Sequence, residues 1–579
     1  MTSKNFNFHA RLYALYIGVH EYSSLVLWNS NEININFLPM IFKLFRPNAW
    51  KFLRRFSSSV TLECCKVNRS DLDDALKKNY QQPASVPIVI GKDVIYSGDE
   101  QLIQMPHNHQ RIAAKYYNAS RKHIQMAIDQ ALEVQEKWAN TDVNCRLECF
   151  QKAVDILMSP LKFAQLMSAI MLAEAKTRQE AERDLGRLIR MMSSTADYLK
   201  QLSEFKYHGG TEGLVPKYAL RPLEGFVACT GPINTSWRAA NLALAPLIMG
   251  NVVLWRPPKV CVHSAHLIFS AMMEAGIPAG ALQFLPSNYR LFLDTVVRSP
   301  YLAGINYAGR LSTLRTLWHD MAIQLANYKC FPRLVGECDS KGYHFVHESA
   351  DLEKVVDLTI NAAFSYSGQR PNCCARLYVP SSMWPQVRCH LEARVACLKI
   401  ADPTDDESFS SAICRPDIFD DIVEYLKYAS SSKGNQIIAG GNFIKSHGYF
   451  IEPTIVLCQN PQDRLLIDDI PGPILSVYVY ENAHLEGALE TLATTQKFGA
   501  CGSVFVKNEK ILPHLQQKLG KTASNLYINN QCSGSSMSHL PLSGNRLSGT
   551  NDKNATPYYL LRFAAPQMLE EARGDIAYD

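Results

Sequence analysis

The sequence predicts an α/β protein built on a doubly wound, mainly parallel sheet, and three observations carry that prediction. Short apolar runs (FVACTG, NVVLW, ALQFLP, LAGINYAG) recur between residues 225 and 310, helix-length stretches separate them, and glycine or proline punctuates most junctions. In such a fold, ligands bind beyond the carboxyl ends of the strands.

Taken in order, residues 1–66 read as an upstream extension followed by a mitochondrial transit peptide. Residues 40–60, MIFKLFRPNAWKFLRRFSSSV, carry Lys43, Arg46, Lys51, Arg54 and Arg55 with no acid before Glu63, interleaved with Phe42, Leu44, Phe45, Trp50, Phe52 and Leu53. A basic amphipathic helix without acids is the form drawn through import by the membrane potential, and Met40 is an alternative start to Met1. Residues 67–332 form a nucleotide-binding-type domain. Within it, residues 110–205 space apolar positions at three and four, as helices do. FVACTG, the helical ANLALAPLIMG and NVVLW then make a strand, helix, strand unit. The rhythm continues with a helix near 262–275, ALQFLP, a helix near 289–298, LAGINYAG, and a helix after Gly309. A second alternating block, from Leu334 to about Asn529, falls in a catalytic-type domain of residues 333–540. Residues 541–579 return as YYLLRFAAPQM, read as a terminal strand or flap.

Composition narrows the function classes. The 579 residues carry 59 Lys+Arg against 54 Asp+Glu, a formal charge of only +5, with 47% hydrophobic residues. That is ordinary globular usage without the concentrated basic stripe of a nucleic-acid domain. Sixteen cysteines are sparse for a disulfide scaffold of this length, and Cys229, Cys330 and Cys501 lie in apolar runs, so a reducing compartment is expected. No Cys-x-x-Cys occurs and Cys145/Cys149 have no matching pair, which argues against zinc. No apolar run approaches the roughly 18 residues of a membrane span, so a soluble protein is expected.

The blocks GFVACTGPIN, NVVLWRP, RLVGEC, FSYSGQRPNCCARLYVP, DDIPGPILSVYVY and SGTNDK, in this order, resemble the aldehyde dehydrogenase superfamily. NLALAPLIMGNVVLW and SGTNDK narrow the likeness to glutamate-semialdehyde (1-pyrroline-5-carboxylate) dehydrogenases. The resemblance implies a mitochondrial matrix enzyme of proline catabolism that oxidises L-glutamate semialdehyde to glutamate with NAD. It also implies a homodimer or higher assembly, formed through a hairpin near 206–222 and the terminal flap. Its chemistry needs a cysteine thiolate, an oxyanion site made by an asparagine amide and the cysteine's own N–H, and a glutamate that activates water.

The asparagine matches Asn234 of Pro232-Ile233-Asn234, where a helix cap is the plainer reading. The glutamate matches Glu337, but the family's following glycines are here Asp339 and Ser340, which puts its placement in doubt. The nucleophile position of Gly-Gln-x-Cys reads Gly368-Gln369-Arg370-Pro371. Proline removes the thiol and one oxyanion N–H together. Cys373 lies two residues on, about 7 Å along an extended chain, whereas catalysis tolerates displacement of roughly 1 Å. It and Cys374 read as ordinary core thiols, with a rearrangement that repositions Cys373 as the alternative.

The cofactor positions implied by the family are Gly231, Arg256 in place of its lysine, the turn Gly309-Arg310 leading to Thr313, Asp469 in place of its glutamate, and Pro471 in place of its phenylalanine. Lys259, where the family has an acid that reads the ribose, leaves NADP open beside NAD, with a solvated lysine as the bland reading. The substrate-carboxylate positions are Arg370, Asn372, Gly534 and Ser535, all still able to hydrogen-bond an anion; a polar loop pair without ligand is the alternative. Two functions follow: a weak dehydrogenase, or a non-catalytic protein that binds a glutamate-like molecule or pairs with an active paralogue. The residues favour the second. Ester hydrolysis and coenzyme A acylation both need the missing thiol.

Overall fold

The computed structural model describes residues 68–204, 214–231, 234–533 and 543–572. The expected transit peptide with Met40, and the expected substrate-carboxylate positions Gly534 and Ser535, lie outside the described residues. The first sheet has seven strands in the order Arg333–Glu337, Leu302–Ala308, Phe226–Thr230, Val252–Arg256, Leu282–Phe284, Ile88–Ile90, Asp93–Ile95. The first five run parallel and the last two antiparallel. Helices Ser236–Ile248, Val262–Glu274, Tyr289–Val297 and Leu311–Ile323 connect them. Phe226–Thr230 and Leu302–Ala308 are buried along their whole length, which is why they read as unbroken apolar runs.

The second sheet also has seven strands: Asn435–Ala439, Thr454–Cys458, Ile474–Tyr480, Cys374–Pro380, Gly342–Val346, Cys501–Phe505, Asn525–Ile528. Only the Asn435–Ala439 edge is antiparallel. Three expectations shift. Residues 108–117 are a strand, not the start of the helical region; it pairs with Glu100–Met105, and helix begins at Arg121, where Ser120 and His123 form a reciprocal cap. Arg333–Glu337, assigned by sequence to the second half, is the edge of the first sheet, hydrogen-bonded to Leu302–Ala308. In the terminal stretch, Pro557–Leu561 is a short helix, because proline opens it and the Thr556 hydroxyl accepts from Tyr559 N–H.

Ala565–Ala572 pairs antiparallel with Leu214–Arg221, so this described part of the expected hairpin region joins the chain's own end. Two buried asparagines bolt that end to the first sheet. Asn251 Oδ1 accepts from Leu223 N–H while its amide donates to Pro246 O (2.9 Å) and Phe563 O (2.8 Å). Asn306 donates to Leu242 O (2.7 Å) and Tyr559 Oη (2.8 Å). Among the described residues no single helix is long and apolar enough to cross a membrane.

Candidate active site

A cleft of about 680 Å³ opens at the carboxyl ends of the first sheet's strands. Gly231, Asn234, Arg256, Gly309, Arg310, Thr313, Glu337, Arg370, Pro371, Asp469 and Pro471 all line it. Asn372 lines an adjoining recess with Pro371, Arg238, Glu337 and Tyr527.

The bend before Pro371 is built from three consecutive left-handed residues, Tyr366 (φ 53°), Ser367 (φ 49°) and Gly368 (φ 66°). A Cβ on Gly368 would meet the Gly472 carbonyl oxygen at 2.2 Å, so only glycine fits. Arg370 to Cys373 then form a β-turn, closed by Cys373 N–H donating to Arg370 O (3.1 Å), with proline at its second position as turn chemistry favours. The Cys373 thiol lines the cleft, but burial, with Asp469 adding, pushes it up to about 12. Such a thiol is protonated at neutral pH.

The remaining chemical groups are engaged. The Asn234 amide donates to the Gln369 carbonyl, and its Oδ1 accepts from Thr235 Oγ1 (3.0 Å). Glu337 is ion-paired with Arg238 and accepts from Asn554 Nδ2 (3.1 Å). Arg238 was not singled out in the sequence. The signal was there, since an arginine inside the apolar helix Ser236–Ile248 needs a buried partner.

On the cofactor side, Arg256 donates from Nε to Ser287 O (3.1 Å) and stacks on Tyr289 (5.2 Å to the ring centre), with burial lowering its pKa to about 10. Gly309 N–H donates to Glu337 O (2.9 Å). Arg310 pairs with Asp421 (3.1 Å), and the Thr313 hydroxyl lies against those of Tyr289 and Tyr307. Asp339, standing where the resemblance has glycine, accepts the Leu311 N–H (3.0 Å) at the start of helix Leu311–Ile323. An internal carboxylate therefore sits at a helix N-terminus, the kind of place that attracts a phosphate. Asp469 is half-buried on the cleft wall and Lys341 is buried near it; desolvation drives the carboxyl up and the ammonium down, so the pair is pushed toward its uncharged form.

At the other end, Arg370 Nη1 is buried with no hydrogen-bond partner among the described residues. Asn372 donates to Cys532 O (3.2 Å) and accepts from Ser533 (3.4 Å). One group of metal-ligand types occurs among the described residues, His344, Cys374 and Cys532, with ligating atoms within 4.8 Å. His344 Nε2 accepts from Cys532 N–H (3.2 Å), its Nδ1 pairs with Thr359 (2.8 Å), and burial lowers it to about 3. It is a satisfied core histidine.

Fold and cleft together define a two-sheet α/β protein with its ligand site at the strand ends, and the aldehyde dehydrogenase family model matches residues 97–568. The chain belongs to the aldehyde dehydrogenase family. Its relatives narrow the branch. The human mitochondrial delta-1-pyrroline-5-carboxylate dehydrogenase is 37% identical over 515 residues, 88% of this chain and 91% of that protein. The Dictyostelium discoideum mitochondrial enzyme of the same name is 32% identical over 512 residues, 88% of this chain and 92% of that protein. A delta-pyrroline-5-carboxylate dehydrogenase from Mycobacterium tuberculosis, solved bound with NAD, superposes with a TM-score of 0.84 at 28% identity, covering 90% of this chain and 96% of that one.

Proposed function

We propose that this chain is a 1-pyrroline-5-carboxylate dehydrogenase relative that has lost most or all of the NAD-dependent oxidation of L-glutamate semialdehyde to glutamate, and that it serves as a ligand-binding or regulatory protein on that scaffold. The observation that carries the reading is Pro371 in the turn where the family's thiol belongs. A proline there supplies neither the attacking sulfur nor an N–H for the oxyanion. Three further features support it. Asn234 spends its amide on Gln369, Arg238 holds the carboxylate that would activate water, and Asp339 occupies the helix start where cofactor phosphates would approach. These residues fit NAD poorly as a hydride acceptor, and binding of NAD or NADP is expected to be weakened or absent.

In this reading the nucleotide-binding-type domain is residues 67–332 extended by the edge strand Arg333–Glu337, and the catalytic-type domain is the remainder of 333–540. The matrix is its compartment, supported by the basic segment 40–60 and by relatives named as mitochondrial. Leu214–Arg221 with Ala565–Ala572 is its assembly element, as a homodimer or with an active paralogue. A surrogate thiol at Cys373 is the second reading, since it lines the same cleft. At a pKa of about 12 its thiolate fraction at pH 7 is on the order of 10⁻⁵, which works against it.

The test is NAD reduction by the full chain with glutamate semialdehyde, beside Glu337→Ala and Pro371→Cys. Wild type indistinguishable from Glu337→Ala is expected. Turnover well above that control sinks the reading, and its loss in Cys373→Ser would assign it to the surrogate thiol.

A further inference from the structure

A second cavity, of about 650 Å³, lies outside the cleft and shares no lining residue with it. Three segments wall it. The turn between strands Glu100–Met105 and Asn108–Tyr117 brings His107, Asn108 and Gln110. The hairpin of Phe443–Ile444 with Phe450–Ile451 forms the second wall, and Ile400 to Asp402 the third. Turn and hairpin are fastened to each other: His109 N–H donates to His447 O (2.9 Å), Tyr449 N–H donates to Pro106 O (2.9 Å), and the His109 and Tyr449 rings lie 4.1 Å apart. The cavity is thus held open by tertiary contacts, at the size of small-molecule sites, roughly 300–1,000 Å³.

Its lining is chemically unbalanced. Ile400, Ala401, Phe443, Ile444, Phe450 and Ile451 make an apolar wall, on which Phe443 and Ile444 stay exposed. Asp402 and Glu452 add two carboxylates, and no lysine or arginine lines the cavity. The cations nearby are paired elsewhere: Lys445 with Asp420, Lys399 with Asp405 (2.7 Å) and Glu407 (3.1 Å), Arg69 with Asp406 (2.9 Å). Asp402 Oδ1 accepts from Thr404 N–H (2.8 Å) and Oγ1 (2.6 Å). Its Oδ2 stands 3.8 Å from His107 Nε2, beyond hydrogen-bond reach.

His107 is 4% exposed, and both of its ring nitrogens are buried with no hydrogen-bond partner among the described residues. Burial pushes its pKa down to about 4 although Asp402 pulls the other way, so the ring is neutral and does not cancel the carboxylate. A neutral imidazole keeps a lone pair on one nitrogen, and buried polar atoms are ordinarily met by a partner. Among the described residues these acids and histidines do not converge as a metal-ligand group. An organic cation fits instead. An ammonium group has three donors and no acceptor, so it can donate to a carboxylate and to an imidazole lone pair together, while its apolar body covers the aromatic wall.

We propose that this cavity is a second ligand site, separate from the cleft, that takes a primary amine carried on an aromatic or similarly bulky apolar body, with Asp402 and His107 receiving the ammonium group. The inference is independent of the functional reading above, since it holds whether or not the chain oxidises the semialdehyde.

The full chain is titrated calorimetrically at pH 7 and one ionic strength with 2-phenylethylamine, 2-phenylethanol and phenylacetate, which share a ring and differ in charge. The amine is expected to bind at least tenfold more tightly than the alcohol, and phenylacetate more weakly than either. Asp402→Asn, at a partly exposed side chain, keeps the Oδ1 acceptor and should bring the amine to within about threefold of the alcohol. Glu452→Gln should weaken the amine at least threefold, and it carries the test if Asp402→Asn does not fold. Equal binding of the three probes, no binding of the amine, or a preference unmoved by both variants overturns the proposal. So does Nα-acetyl-lysine amide binding as tightly as 2-phenylethylamine, which would make the cavity a socket for a protein lysine.

Discussion

The two ends of the cleft have diverged in opposite directions. At the reacting end, Pro371 offers no thiol, the Asn234 amide is taken by Gln369, and Glu337 is held by Arg238. At the other end, Arg370 keeps a buried Nη1 with no hydrogen-bond partner among the described residues. Both ends stand on the same two seven-stranded sheets. Geometry for binding and atoms for bond-breaking are therefore separable: the turn accepts proline with its hydrogen bond intact while position 371 supplies neither a thiol nor an N–H.

The comparison breaks most visibly if the reacting end is still competent apart from one atom. Pro371→Cys with p-nitrophenyl acetate, a thiol reaction that needs no cofactor, should release a burst of about one nitrophenolate per chain, at least a hundredfold faster than wild type. A burst of equal size in wild type would show that another thiol already serves.

The shared scaffold offers the next largest effect. Arg376 is 2% exposed, donates to Lys341 O (3.2 and 2.9 Å) and to Tyr378 Oη (3.3 Å), and lies over the Tyr343 ring. Arg376→Leu leaves those acceptors buried and unpaired, and a loss of about 4 kcal/mol in chemical denaturation is expected. A loss under about 1 kcal/mol would mean that the second sheet is not what holds the cleft rim.

Acid sharpens the same point. Burial lowers His344 to about 3 and His263 to about 4, from an unfolded value near 6.5. Between those values the unfolded chain binds the extra proton, so stability is present above pH 6.5 and is lost as pH falls toward 4. Each histidine should contribute about 2 kcal/mol to the drop between pH 7 and pH 5. His344→Asn should flatten the denaturation profile over that window, and an unchanged slope would place the imidazole's protonation elsewhere.

The smallest expected effect concerns Arg238. In the Pro371→Cys background, Arg238→Leu frees Glu337 to take a proton from water, and the steady rate after the burst should rise about tenfold. A steady rate unaffected by Arg238→Leu would mean the ion pair does not restrain the base.

Much of this was legible in the sequence, and the unevenness has a physical cause. The strands from Phe226 to Ala308 stand out because burial on both faces leaves unbroken apolar runs that a period of two or three cannot imitate. Residues 110–117 read as helix in the sequence because the mixed burial pattern of the strand Asn108–Tyr117 resembles helical spacing. At the site, residue types could be assigned by motif, but their hydrogen-bond partners could not. Whether Asn234 faces a ligand or a carbonyl depends on Gln369, 135 residues away. In the sequence Asp339 reads as a substitution two residues after Glu337; its contact, with the N–H of Leu311, depends on how two strand ends come together.

The tie between Asn251 and Phe563 spans 312 residues. On a ribosome adding roughly 5 to 20 residues per second, the first sheet waits about 15 to 60 s for that partner to be made. Through that interval Leu214–Arg221 emerges with no mate from its own end, an open edge of the kind that recruits other strands. The closing stretch of this chain is therefore a clock on its own synthesis, and a nascent-chain holdase is most needed in the interval before residue 565 clears the exit tunnel.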